Sequence, residues 1–123
     1  MNETDARDYR DLDVWQVARG LAIAVYQVTQ SFPKEEQFGL VSQMRRGAVS
    51  VAANIAEGNG RFHRNDYARF VSIARGSVTE LECLLDIAGE LGMAPERDLA
   101  AAHEMATRVS QMLFRLYHKL ADH

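Results

Sequence analysis

FGLVSQMRRGAVSVAANIAEGNGRFHR, residues 38 to 64, is the stretch whose reading decides the fold. Gln43, Arg46, Ser50, Asn54, Glu57 and Arg61 recur at helical spacing, and at about 100° per residue they fall within a sector of roughly 80°. Leu40, Val41, Met44, Ala48, Val51, Ala52 and Ile55 fill a broad apolar arc on the same helix. Val49 and Ala56 extend that arc and Arg45 interrupts it. A helix so apolar around most of its circumference requires neighbours on more than one side. EGNG at 57 to 60 predicts its end, with Gly58 expected in a left-handed C-terminal cap and Gly60 adding slack. GNG only faintly echoes a phosphate loop. A dinucleotide fingerprint needs glycine where His63 stands, and no Gly-Lys-Ser or Gly-Lys-Thr is present.

Upstream, Asp11 or Asp13 can cap a first helix running from Leu12 to about Gln30. Val14, Val17, Leu21, Ala24 and Val28 step by three and four and predict its core seam. Leu12, Trp15, Ala22 and Tyr26 make a second stripe on another side. A solitary bundle has no need of two stripes, so the second is a candidate oligomer interface. Pro33 closes this helix and opens the next at Lys34 or Glu35, with Glu35 and Glu36 in the first turn, where the helix dipole favours negative charge. Downstream, a third helix is predicted from Asn65 to about Glu90. Tyr67, Phe70, Ala74, Ser77, Leu81, Leu84, Ala88 and Leu91 form its seam, widened by Val71, Val78 and Leu85. Gly89, Gly92 and Pro95 divide it from a fourth helix, whose ladder is Leu99, Ala102, Ala106, Val109, Leu113, Leu116 and Leu120, flanked by Met105 and Met112. No stretch alternates with the period of a strand. The expected fold is all-α, an up-down-up-down antiparallel four-helix bundle over residues 11 to 123, preceded by a flexible acidic leader over residues 1 to 10.

The 123 residues suit one domain with a real core, and 47% hydrophobic with 25% charged residues is a globular composition. GLAIAV at 20 to 25 is the densest apolar run and is far shorter than a membrane span. The acidic opening MNETDARDYRDLD is unlike a signal or transit peptide, so a cytoplasmic location without membrane contact is expected. Cys83 has no second cysteine to pair with and is expected as a small core residue. The net charge of −3 is unevenly spread. Residues 37 to 75 carry six basic and two acidic side chains, whereas residues 1 to 36 carry four and seven, and residues 76 to 123 carry four and eight. Overall acidity argues against indiscriminate nucleic-acid binding. It leaves a local patch, Arg45, Arg46, Arg61, Arg64 and Arg69, as a candidate anion or nucleic-acid site.

Chemistry has few footholds. Bundle di-metal sites need Glu-x-x-His pairs, and His63, His103, His118 and His123 all lack an acid three residues earlier, so no metal and no cofactor is expected. His103 and His118 share roughly one face with Glu104, Arg108, Arg115 and Lys119, the pattern of a solvated surface. Ser50 and Ser77 have no sequence companions that suggest a nucleophile. The polar seam Gln43, Ser50, Asn54 and Glu57 admits two readings. It lines a recognition groove, or it is structural, with Glu57 pairing with Arg61 or Arg75 and the Asn54 amide tying the turn between the second and third helices. No enzyme is indicated.

YRDLDVWQ at 9 to 16, SFP at 31 to 33, residues 38 to 61 and SIARGSVTELECLL at 72 to 85 together resemble the four-helix-bundle proteins encoded by intervening sequences in bacterial 23S rRNA genes. The superfamily includes accessory proteins of diversity-generating retroelements. The resemblance spans about residues 9 to 91 and is most specific in Gln43, Arg45, Arg46, NIAEG at 54 to 58, Arg61 and the GS-x-x-E at 76 to 80. It implies a homopentamer without known catalytic activity, acting as a scaffold of unknown role. The retroelement relatives are strongly basic and bind nucleic acid and a reverse transcriptase, whereas this chain is acidic. A nucleic-acid or ribonucleoprotein accessory role through the arginine patch is the alternative reading.

Overall fold

The computed structural model describes residues 8–121. The described residues form four α-helices, α1 (Asp13–Thr29), α2 (Leu40–Asn59), α3 (Arg64–Glu90) and α4 (Glu96–Ala121), with short 3₁₀ turns at Tyr9–Asp11 and Lys34–Glu36. α1 packs on α2 and α4, and α3 packs on the same two, so the helices stand in cyclic order. With connections this short, neighbours run antiparallel, as the sequence predicts. Most of the predicted leader lies outside the described residues. Its last part is ordered by Asp8, whose carboxylate accepts the Arg10 amide at 2.8 Å and pairs with the Arg10 guanidinium at 3.0 Å.

The core follows the heptad reading closely in α3 and α4. All seven predicted α4 positions are buried, and so are Phe70, Val71, Ala74, Val78, Leu81, Leu84, Leu85 and Ala88 of α3. Leu91 is an exception because it lies one residue past the helix end and points to solvent. In α1 the seam is Val14, Ala18, Leu21, Val25 and Val28, so Ala18 and Val25 replace the predicted Val17 and Ala24. The two registers differ by one residue, and the larger Val25 takes the deeper place. Leu12 is fully buried within the chain. It precedes the helix, where the backbone is extended, so its side chain does not follow the stripe of Trp15, Ala22 and Tyr26. Cys83 is exposed, against expectation, because it sits roughly 200° around the helix from the core residue Leu81.

The connections correct two local expectations. α2 begins at Leu40 rather than Lys34, after a separate 3₁₀ turn, and Glu36 acts from outside the helix by accepting the Leu40 amide at 3.3 Å. Gly58 is not a left-handed cap. It is a buried helical residue, and a Cβ there would stand 2.8 Å from the Phe70 Cβ and 3.3 Å from the Tyr67 carbonyl oxygen. Its missing side chain lets α3 cross tightly over α2. The left-handed glycine among the described residues is Gly92, at φ 65°, between α3 and α4. There the Met93 amide reaches back to the Ala88 carbonyl at 3.0 Å and closes the end of α3.

Candidate functional site

The outer side of the α1/α2 pair carries a largely apolar surface. Trp15, Ala22 and Tyr26 reach it from α1, while Val49, Ala52, Ala53 and Ala56 reach it from α2. These residues follow from helix geometry, since α2 turns its apolar arc past the core and the overflow emerges beside α1. A groove of about 440 Å³ runs between Trp15 and Ala56 and also takes in Tyr9 and Arg19. A second, of about 600 Å³, continues from Val49 past Tyr26 to Phe38 and Arg46. Tyr26 is 43% exposed, Val49 46% and Phe38 90%. Neither groove is lined by a carboxylate. Trp15 is held edge-on by Tyr9, with ring centroids 4.9 Å apart, and is covered by the Arg19 guanidinium at 5.5 Å. The face therefore combines fixed aromatic rings with small side chains that leave room for another surface. Val49, Ala53 and Phe38 belong to it although they stand outside the predicted stripe, and the apolar excess around α2 was their signal.

The arginines predicted as one patch occupy different places. Arg45 turns toward α1, donating from Nε to the Thr29 hydroxyl at 2.9 Å and from Nη2 to the Tyr26 carbonyl at 3.3 Å, and its guanidinium lies 4.6 Å from the centroid of the Tyr26 ring. It clamps the C-terminal turn of α1, where free carbonyls favour a cation. Arg64 does the same at the other end of the bundle, donating to the Lys119 carbonyl of α4 at 2.7 Å. Arg61 and Arg69 both approach the Phe70 ring, each 4.6 Å from its centroid. Arg61 also pairs with Glu57 at 3.3 Å, and Arg69 with Asp66 at 4.0 Å. At 1.5 Å of rise per residue, roughly 18 Å of α2 separates Arg45 from Glu57. The set thus divides into Arg45 and Arg46 in the first half of α2 and Arg61, Arg64 and Arg69 around the α2–α3 turn. Phe62, on that turn between Arg61 and Arg64, is 101% exposed.

The polar seam of α2 divides as well. Gln43 and Glu57 are exposed, while Ser50 and Asn54 are half-buried against α3. The Ser50 and Ser77 hydroxyls are 3.1 Å apart, joining α2 to α3. The Asn54 amide donates back to the Ser50 carbonyl at 2.8 Å and its hydroxyl at 3.0 Å, within its own helix. The expected tie from Asn54 to the α2–α3 turn is therefore made one turn earlier, by the serine pair. The expected Glu57 to Arg61 pair is present.

The α3/α4 side, opposite the apolar face, has another character. Asp86, Glu90, Glu96 and Glu104 line a groove of about 1060 Å³ over Leu85 and Leu99, with His103 facing Asp86 at 3.3 Å. Farther along the same side Phe114, 50% exposed, stacks edge-on with His118 at 4.4 Å and lies 5.4 Å from the Arg75 guanidinium. Among the described residues no three His, Cys, Asp or Glu side chains gather to hold a metal, and no helix is long and apolar enough to cross a membrane.

Comparison with known proteins adds the kinship. A crystal structure of a protein of unknown function from the S23 ribosomal protein family of Bacteroides thetaiotaomicron matches at a TM-score of 0.78, with 19% identity over 85% of this chain and 94% of that one. Identity this low speaks to the fold alone. No curated protein matches the chain. Residues 10–115 match the family model for the 23S rRNA-intervening sequence protein, a span that takes in all of α1, α2 and α3 and most of α4, and the chain belongs to that family.

Proposed function

We propose that the chain is a non-enzymatic, cytoplasmic scaffold that works as a homo-oligomer through its α1/α2 face, with the pentamer implied by the family resemblance as its assembled form. The observation that carries this reading is the continuous apolar surface from Trp15 and Ala22 to Tyr26, Val49 and Phe38. Fixed aromatic rings beside small side chains bury well against a second protein surface, and contiguous exposed apolar area of this kind marks interaction sites. The arginines give less support to a ligand-binding reading, since Arg45 and Arg64 are engaged with helix-end carbonyls. Light scattering tests the proposal. Trp15→Glu with Tyr26→Glu is expected to lower the solution mass to that of the 13.8 kDa chain while helicity by circular dichroism stays largely intact. A mass equal to wild type would sink the interface.

One observation favours a second reading, a nucleic-acid or ribonucleoprotein accessory role like that of the retroelement proteins. Phe62 stands clear of the bundle next to Arg61, an arrangement that offers a base a ring to stack on and a neighbouring phosphate a cation. On this reading labelled RNA shifts in a salt-dependent manner, and Arg61→Glu with Phe62→Ala abolishes the shift. No shift at low salt would dismiss it.

A further inference from the structure

We propose that the cleft between α3 and α4 beside Phe114 is a binding site for a small planar aromatic carboxylate, its ring against Phe114 and its carboxylate on Arg75. The cleft encloses about 280 Å³ and is lined by Val71, Ser72 and Arg75 of α3 and by Phe114, Tyr117 and His118 of α4. Helical spacing brings each set together, since positions i, i+3 and i+4 share one side of a helix. Val71 is fully buried and closes the floor. On α4 the core positions are Leu113, Leu116 and Leu120, so the three rings between them are not spent on the core. They brace one another instead, His118 standing edge-on to Phe114 at 4.4 Å and to Tyr117 at 5.5 Å, and they leave Phe114 half exposed.

The charge of the cleft selects the ligand. Arg45, Arg61, Arg64 and Arg69 each have an oxygen partner. The Arg75 guanidinium has none among the described residues and lies 5.4 Å from the centroid of the Phe114 ring. Its planar fork of donors matches a carboxylate in two parallel hydrogen bonds. Ser72 adds a hydroxyl one turn earlier on the same side of α3, and no carboxylate of the chain lines the cleft to compete. Arg75 is the one permanently charged lining residue, which balances a monoanion and leaves a phosphate dianion half unpaired. The volume is just under the roughly 300–1,000 Å³ of sites for drug-sized ligands, so it suits one ring system with a short acidic arm. Aromatic faces prefer offset or edge-on partners, and a flat ring entering the cleft meets Phe114 and Tyr117 in that way while removing apolar surface from water.

Saturation-transfer NMR on the full chain tests the site, with indole-3-carboxylate as the probe and indole-3-carboxamide as its neutral isostere. The carboxylate is expected to bind and the amide to bind at least about tenfold more weakly, because it forgoes the charge-assisted pair. Arg75→Gln is expected to cost the carboxylate about tenfold in affinity, and Phe114→Leu, which keeps apolar cover and removes the ring, about fivefold. Arg108→Gln, on α4 but outside the cleft, leaves binding unchanged. All three positions are exposed, so the fold is kept, as circular dichroism verifies. Absence of saturation transfer, equal binding of acid and amide, or an Arg75→Gln chain that binds as wild type does overturns the site. Tighter binding of AMP than of indole-3-carboxylate, lost in Arg75→Gln, overturns the assignment to a carboxylate.

Discussion

Gly58 shows how one residue sets the spacing of two helices. Its Cα hydrogen occupies a gap in which a methyl group would meet the Phe70 Cβ at 2.8 Å, and both atoms belong to elements that cannot shift independently. Alanine normally strengthens a helix relative to glycine by roughly 1 kcal/mol. Here overpacking costs about 1–3 kcal/mol and outweighs that gain. Gly58→Ala is therefore expected to lower the urea midpoint with an unchanged m-value, and a midpoint at or above wild type would show that the crossing has slack. The sequence pointed to Gly58 but for the wrong reason, since a glycine in EGNG reads as a stop signal until the passing helix is seen. The partners of Arg45 and Arg64 were not legible either. Clusters of cations along a sequence suggest an anion site, but the carbonyls that hold these two come from residues far away in the chain, Tyr26 and Lys119.

At the scale of elements, heptad spacing located α3 and α4 almost to the residue because their seams are unbroken from Tyr67 to Ala88 and from Leu99 to Leu120. α1 was harder to phase. Val17 and Ala18, like Ala24 and Val25, are adjacent apolar pairs, and periodicity alone cannot say which member turns inward. The start of α2 was missed because Pro33 followed by acids is an ordinary helix opening, and the acids instead form a 3₁₀ turn whose Glu36 caps the helix from outside. The break between α3 and α4 depends on Gly92, whose φ of 65° places it in the region that residues with a Cβ avoid. No neighbour would obstruct a methyl group there, so Gly92→Ala isolates the backbone cost. That cost is about 1–2 kcal/mol, read as a lower thermal midpoint with wild-type oligomeric mass. A variant as stable as wild type would mean that the turn relaxes into a right-handed conformation.

For the whole molecule, the bundle was legible because four apolar seams and three short connections leave few other arrangements. An apolar surplus on α1 was legible too, as Trp15, Ala22 and Tyr26. The share contributed by α2 and the contrast with the acidic α3/α4 side were not, because a face made by two helices joins residues that no single periodicity connects. Cys83 gives this architecture a practical consequence. It is exposed on α3, lines none of the grooves of the two opposed faces, and is the single cysteine of the chain. A maleimide dye attached there marks every polypeptide once, so stepwise photobleaching of one immobilised particle counts how many copies it contains.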